Sequence, residues 1–138
     1  MIRAVIDTNV FVSSFLGGNP GAIVGRWKTG EIILCLSRPI VDEYVDVLQR
    51  LGLQNERQIE EQLQLFAQGP NVLYSAITPR LSIIDADPSD NKFIECAVAL
   101  KSGYIISGDS HLTAIQDYLG IKIVSPKEFL GLAGTELS

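Results

Sequence analysis

The sequence predicts an α/β protein, a three-layer α/β/α sandwich in which a parallel sheet of about five strands is covered by helices on both faces. Three observations carry that expectation. Short apolar runs recur along the 138 residues, helical patterns with recognisable starts and stops fall between them, and the two kinds of segment alternate almost throughout.

The runs suited to buried strands are Ala4-Val5-Ile6, Ile32 to Leu36, Leu81 to Ile84, Tyr104-Ile105-Ile106 and Ile121 to Val124. Asn19-Pro20 opens a helix that Gly30 closes, since proline suits the first turn and glycine the position past the last. Ser37 opens a second, with a stripe of Ile40, Tyr44, Val47, Leu48 and Leu51 before Gly52. A third covers Asn55 to Gln68, with Ile59, Leu63 and Phe66 inward, the Glu56 to Glu61 charges outward, and Gly69 as its stop. A fourth starts at Asp87-Pro88, shows Phe93, Ala97 and Leu100 on one face, and ends before Gly103. Pro79 and the segment from Asn71 to Thr78 read as a looser connection. Residues 1–132 read as a single domain and 133–138 as a C-terminal tail.

A hydrophobic content of 46% is enough for one core without disulfide staples. No segment approaches the roughly 20 apolar residues of a membrane helix, and a cytoplasmic protein with no membrane partner is expected. Cys35 and Cys96 fall in apolar patterns without CxxC spacing and read as reduced core residues. The net charge of −5 argues against nucleic-acid binding through a broad basic face. That objection weakens where acids share a pocket, because bound divalent cations reverse the local field.

Ligands of open α/β sheets bind beyond the carboxyl ends of the strands, where the strand order reverses. Asp7 follows Val5-Ile6 and Asp109 follows Ile105-Ile106-Ser107-Gly108, so both belong to that rim; Asp90 lies in a first helical turn and Glu43 in the helix after the second strand. Convergence of these four carboxylates would raise their pKa values by mutual repulsion, and a hard cation removes the conflict. Carboxylates without His or Cys ligands suit Mg2+ or Mn2+ better than zinc, and the natural chemistry is phosphodiester hydrolysis.

The opening Ile6-Asp7-Thr8-Asn9-Val10-Phe11, the Glu43 helix, the run Asp87-Pro88-Ser89-Asp90-Asn91-Lys92-Phe93-Ile94-Glu95-Cys96-Ala97, the run Ile105-Ile106-Ser107-Gly108-Asp109-Ser110-His111-Leu112 and the ending Ile123-Val124-Ser125-Pro126-Lys127-Glu128-Phe129-Leu130 together resemble a prokaryotic PIN domain over nearly the whole chain. The resemblance implies a five-stranded parallel sheet and divalent-metal-dependent endoribonuclease cleavage of single-stranded RNA, leaving a 5′-phosphate and a 3′-hydroxyl. It also implies a homodimer, and a toxin role restrained by an antitoxin protein. By the same resemblance Asp7, Glu43, Asp90 and Asp109 are the catalytic metal ligands, Glu43 either ligating or orienting the water. Thr8, Asn9, Asn91 and Ser107 fall beside them as residues that orient the ligands. Arg38 and Lys92 are weaker candidates for holding phosphate.

Each acid taken alone has a simpler account. Asp7, Asp87-x-x-Asp90 and Asp109 all stand at helix starts, where an aspartate stabilises a helix by roughly 1 kcal/mol; Glu43 alone reads as a solvated helix face. His111 reads as an ordinary partly exposed residue, Trp27 and Tyr44 as packing residues rather than platforms for RNA bases, and Arg38 and Lys92 equally well as surface ion pairs. Two rival functions remain: a non-catalytic PIN-like module that binds RNA or protein, and a phosphoaspartate phosphatase or receiver built on Asp7. The second fits poorly, because the phosphatase wants an acid where Asn9 stands.

Overall fold

The computed structural model describes residues 2–85 and 87–136, with side chains as far as residue 132. The chain runs β1 (Ile2–Ile6), α1 (Thr8–Ser13), a 3₁₀ turn (Ser14–Leu16), α2 (Gly18–Lys28), β2 (Ile32–Ser37), α3 (Arg38–Arg50), α4 (Glu56–Gln68) and β3 (Val72–Ser75). It continues through a second 3₁₀ turn (Pro88–Asp90), α5 (Asn91–Leu100), β4 (Tyr104–Ile106), α6 (Ser110–Thr113), β5 (Asp117–Tyr118), β6 (Ile121–Val124) and α7 (Pro126–Glu136). Helix α7 therefore reaches into the 133–138 segment, of which 137 and 138 lie outside the described residues.

The sheet order is β3-β2-β1-β4-β6-β5, with every pair parallel except β5 with β6. Ala4, Val5 and Ile6 are all fully buried, as are Ile105 and Ile106. Successive strand residues face opposite sides of a sheet, so a strand buried at every position has both faces covered. The small β5–β6 ribbon closes through Leu119 and Gly120, both at positive φ (51° and 85°), the backbone a tight two-residue hairpin needs.

The strand order reverses at β1. From there the chain fills the sheet outward through β2 and β3, then returns to the other side of β1 with β4 and β6. Ile6 pairs with Ile106, and Asp7 N donates to Ile106 O at 3.0 Å, so the two strands end side by side.

The sheet differs from expectation at both edges: the short antiparallel β5 is a sixth strand, and one expected strand does not form. Leu81 to Ile84 is not a strand; the edge strand beside β2 is β3, inside the segment expected to be a loose connection. The amides of the 81–84 run bond side chains of α5 rather than a neighbouring strand. Glu95 Oε2 accepts from Leu81 N at 2.7 Å, and Asn91 Oδ1 accepts from Ile83 N at 3.1 Å and Ile84 N at 2.9 Å. The apolar side chains of this run are still wanted, since Ile84 is buried against the core and Leu81 and Ile83 pack partly on it. Hydropathy therefore marked a core-covering segment correctly and its backbone partner wrongly.

Helix α3 is set by Ile40, Tyr44 and Leu48, spaced one turn apart and buried. Tyr44 stacks on Phe11 with ring centroids 4.2 Å apart and donates its hydroxyl to Ile6 O. In α4 the buried stripe is Ile59, Gln62 and Phe66, behind an Asn55–Gln58 capping box, and Leu63 lies at the exposed edge. Trp27 is buried beside Phe66, ring centroids 6.0 Å apart. Tyr44 and Trp27 are thus core residues.

Because Asn91 satisfies two amides at once, Asn91→Ala is expected to lower stability by about 2 kcal/mol, the cost of leaving those donors without an acceptor. Urea unfolding measures it. A change below about 0.5 kcal/mol would mean that water replaces the side chain.

Candidate active site

The four acids expected to converge, from four parts of the chain, line one pocket of about 220 Å3 at the carboxyl ends of the central strands, and Asp87 is a fifth. Asp7 arrives from β1 and Asp109 from just beyond β4; the second 3₁₀ turn delivers Asp90, and α3 delivers Glu43.

Asp7 is 3% exposed. Its Oδ1 accepts from Val10 N at 2.8 Å, capping α1, and its Oδ2 accepts from the Ser107 hydroxyl. Burial raises its pKa above the ordinary value, the Ser107 and Val10 bonds oppose that rise, and the charges of Asp109 and Glu43 add to it. Asp109 caps α6, its Oδ1 accepting from His111 N at 2.7 Å. The Ser107 oxygen that donates to Asp7 also accepts from Asp109 N at 2.9 Å, so one hydroxyl joins the two acids.

Asp90 does no capping through its side chain; Asp87 takes that part, accepting from Ser89 N at 3.2 Å. Asp90 Oδ2 is buried without a hydrogen-bond partner. Its pKa is pushed up to about 6, by burial first and then by Asp87, Asp109, Glu43 and Asp7. Buried polar atoms are nearly always satisfied. An orphaned carboxylate oxygen among other acids is the arrangement a cation relieves.

Glu43 stands mid-helix but is not a solvated face. Its Oε2 accepts from the Thr8 hydroxyl and its Oε1 lies 3.1 Å from Lys92 Nζ. With Glu43 turned to these partners and Asp7 to Val10 and Ser107, no three acidic, His or Cys side chains among the described residues stand at ligating geometry. The donors lining the pocket are nevertheless oxygens, chiefly carboxylates, with no His or Cys, a set that fits a hard divalent ion better than zinc.

Thr8 and Asn9 line the pocket, and Asn9 stands exposed. Asn91 is occupied with Ile83 and Ile84, so what it holds is the segment leading into Asp90. Lys92 meets Glu43. Arg38 is exposed, 3.8 Å from Asp42 on its own helix, and does not line the pocket. His111 is half exposed, with Nδ1 3.6 Å from Asp109 Oδ1.

Three lining residues were not singled out from sequence: Arg50, Asp87 and Ser89. Arg50 follows Glu43 by seven residues, two helical turns, so helical spacing alone could have found it. Asp87, expected as part of a helix start, is that too, since it accepts from Ser89 N and caps the second 3₁₀ turn.

A family model described as PIN domain matches residues 3–111. The uncharacterized protein MJ1680 of Methanocaldococcus jannaschii is 33% identical over 144 residues, spanning 94% of this chain and 90% of that protein. The match takes in β1 through the start of α6, with all four acids and the strand reversal between them, and the chain belongs to the PIN-domain family, whose members are generally nucleases.

Proposed function

We propose that this protein is an endoribonuclease that hydrolyses single-stranded RNA with the help of Mg2+ or Mn2+. The observation that carries the reading is the meeting of Asp7, Glu43, Asp90 and Asp109 in one pocket, with Asp90 Oδ2 buried and unsatisfied. Asp7, Asp90 and Asp109 would hold the cation. A divalent ion bound there supplies Lewis acidity, both to polarise a phosphodiester and to make water a nucleophile near neutral pH.

The chain's own residues do the rest. Ser107 holds Asp7 and Asp109 in register, Thr8 holds Glu43, and Glu43 accepts a hydrogen bond from the attacking water so that it approaches phosphorus in line. Arg50, which lines the pocket and pairs with Asp46 at 3.1 Å, would turn to a neighbouring phosphate, a role for which a guanidinium is well suited. The products would be a 5′-phosphate and a 3′-hydroxyl. The proposal extends to a homodimer in the cytoplasm that acts as a toxin and is restrained by a cognate antitoxin protein; these parts rest on the family resemblance alone.

Purified protein incubated with labelled single-stranded RNA should cleave it with Mn2+ or Mg2+, stop in chelator, and resume when Mn2+ is restored. Cleavage that persists in chelator would remove the metal from the mechanism. Saturating Mn2+ should also stabilise the fold, by about 2.7 kcal/mol when the ion is at about 100 times its Kd. A thermal melt that does not move would dismiss a shared cation pocket.

A pH series on the metal-free protein isolates Asp90. Its folded pKa of about 6 lies above the ordinary 3.8, so its stabilising contribution is complete below pH 3.8 and is lost as pH rises through 6. Asp90→Asn lacks that titration. At pH 7 in chelator the variant should be more stable than the wild type by about 1 kcal/mol, allowing for screening at this half-open site. At pH 4 the two should nearly coincide, and with Mn2+ at pH 7 the order should reverse. Full cleavage by Asp90→Asn would remove that residue from the mechanism.

A further inference from the structure

The Lys92–Glu43 pair is unlike the other Lys or Arg pairs described. Arg38–Asp42, Arg50–Asp46 and Arg57–Glu61 each join residues one turn apart on a single helix, with side chains at least 63% exposed. Such pairs contribute little. Lys92 instead reaches from α5 to α3, sets Nζ 3.1 Å from Glu43 Oε1, and keeps only 18% of its side chain exposed, against 29% for Glu43. The other Glu43 oxygen accepts from Thr8. Both Glu43 oxygens thus have protein partners, while Asp90 Oδ2 in the same pocket has none. Lys92 is not among the residues that line the pocket, whereas Glu43 is.

We infer that Lys92 is a positioning residue: it draws the Glu43 carboxylate toward the seam between α3 and α5, leaving Asp7, Asp90 and Asp109 to meet the cation and Glu43 to meet the attacking water. The inference rests on the metal-dependent reading above and decides within it between two roles for Glu43, ligand or water acceptor. An ammonium and a divalent ion compete for the same carboxylate, and the ammonium is tethered beside it. Affinity for a hard cation grows with the number of carboxylates that reach it. Freed from Lys92, Glu43 would join the ligands, and the ion would bind more tightly while the water lost its acceptor.

The test compares wild type with Lys92→Met and Lys92→Arg, using Mn2+ alone as the probe in titration calorimetry and melting, and single-stranded RNA for cleavage. In Lys92→Met, Mn2+ should bind on the order of 10-fold tighter. The metal-free melting temperature should fall and its rise on adding Mn2+ should grow. Cleavage at saturating Mn2+ should drop on the order of 10-fold in kcat. Lys92→Arg should restore wild-type behaviour in all three. Lys92→Gln gives the same reading if the methionine variant does not fold. Mn2+ affinity that is unchanged or weaker without Lys92 overturns the inference, and a raised KM for RNA at that unchanged affinity would make Lys92 a phosphate contact instead. No Mn2+ binding by the wild type would overturn the metal reading itself, a separate result.

Discussion

Everything at the site follows from β1 and β4 being neighbours. Their pairing in the centre of the sheet ends with Asp7 N bound to Ile106 O, and from that point the chain diverges into α1 on one side and the turn to α6 on the other. Divergence leaves a notch, and the two residues that open the helices are both aspartates. Ser107 bridges them from within the notch, donating to one and accepting from the backbone of the other. The capping account and the site account of Asp7 and Asp109 are therefore not alternatives. Asp7 spends one oxygen on the α1 amide and turns the other inward, and Asp109 caps α6 while lining the same pocket.

The opposing force is repulsion among acids in a partly dry place. Burial raises both Asp7 and Asp90, and the neighbouring carboxylates push in the same direction. The fold moderates this locally: hydroxyls of Thr8 and Ser107, helix amides and one lysine each attend to one carboxylate. The residual strain is concentrated on Asp90, whose Oδ2 is buried with no hydrogen-bond partner among the described residues. A net charge of −5 thus says little about nucleic-acid affinity, because part of it sits where a cation would offset it.

How much of this could be read from the amino acids depended on the range of the interaction. Helix starts and stops, such as Asn55 and Gly69 around α4 or Ser37 before α3, are local and were legible. So were the buried strands beside the switch, because a run such as Ala4-Val5-Ile6 has few other places to go. The strand expected at Leu81 to Ile84 shows the limit. Apolar periodicity reports burial, whereas the choice of β3 as edge strand was made by Glu95 and Asn91, which sequester the amides of the competing run from farther along the chain. The site divides the same way. Its four acids stood out by their order along the chain, but the partner of Glu43 is 49 residues away on another helix, and no spacing rule joins Lys92 to it.

The side-chain grip on the 81–84 run also divides the pocket by local stability. Asp7 and Asp109 are anchored to central strands, whose release means breaking the sheet, the most protected part of such a fold. Asp90 is approached through a connection whose backbone is held by three bonds from Glu95 and Asn91. A connection held by side chains alone is the kind of segment that opens locally. Asp90 itself stands at the start of α5, whose Phe93, Ile94, Cys96 and Ala97 are buried in the core, so the fourth carboxylate is tied to the core on one side and to this connection on the other.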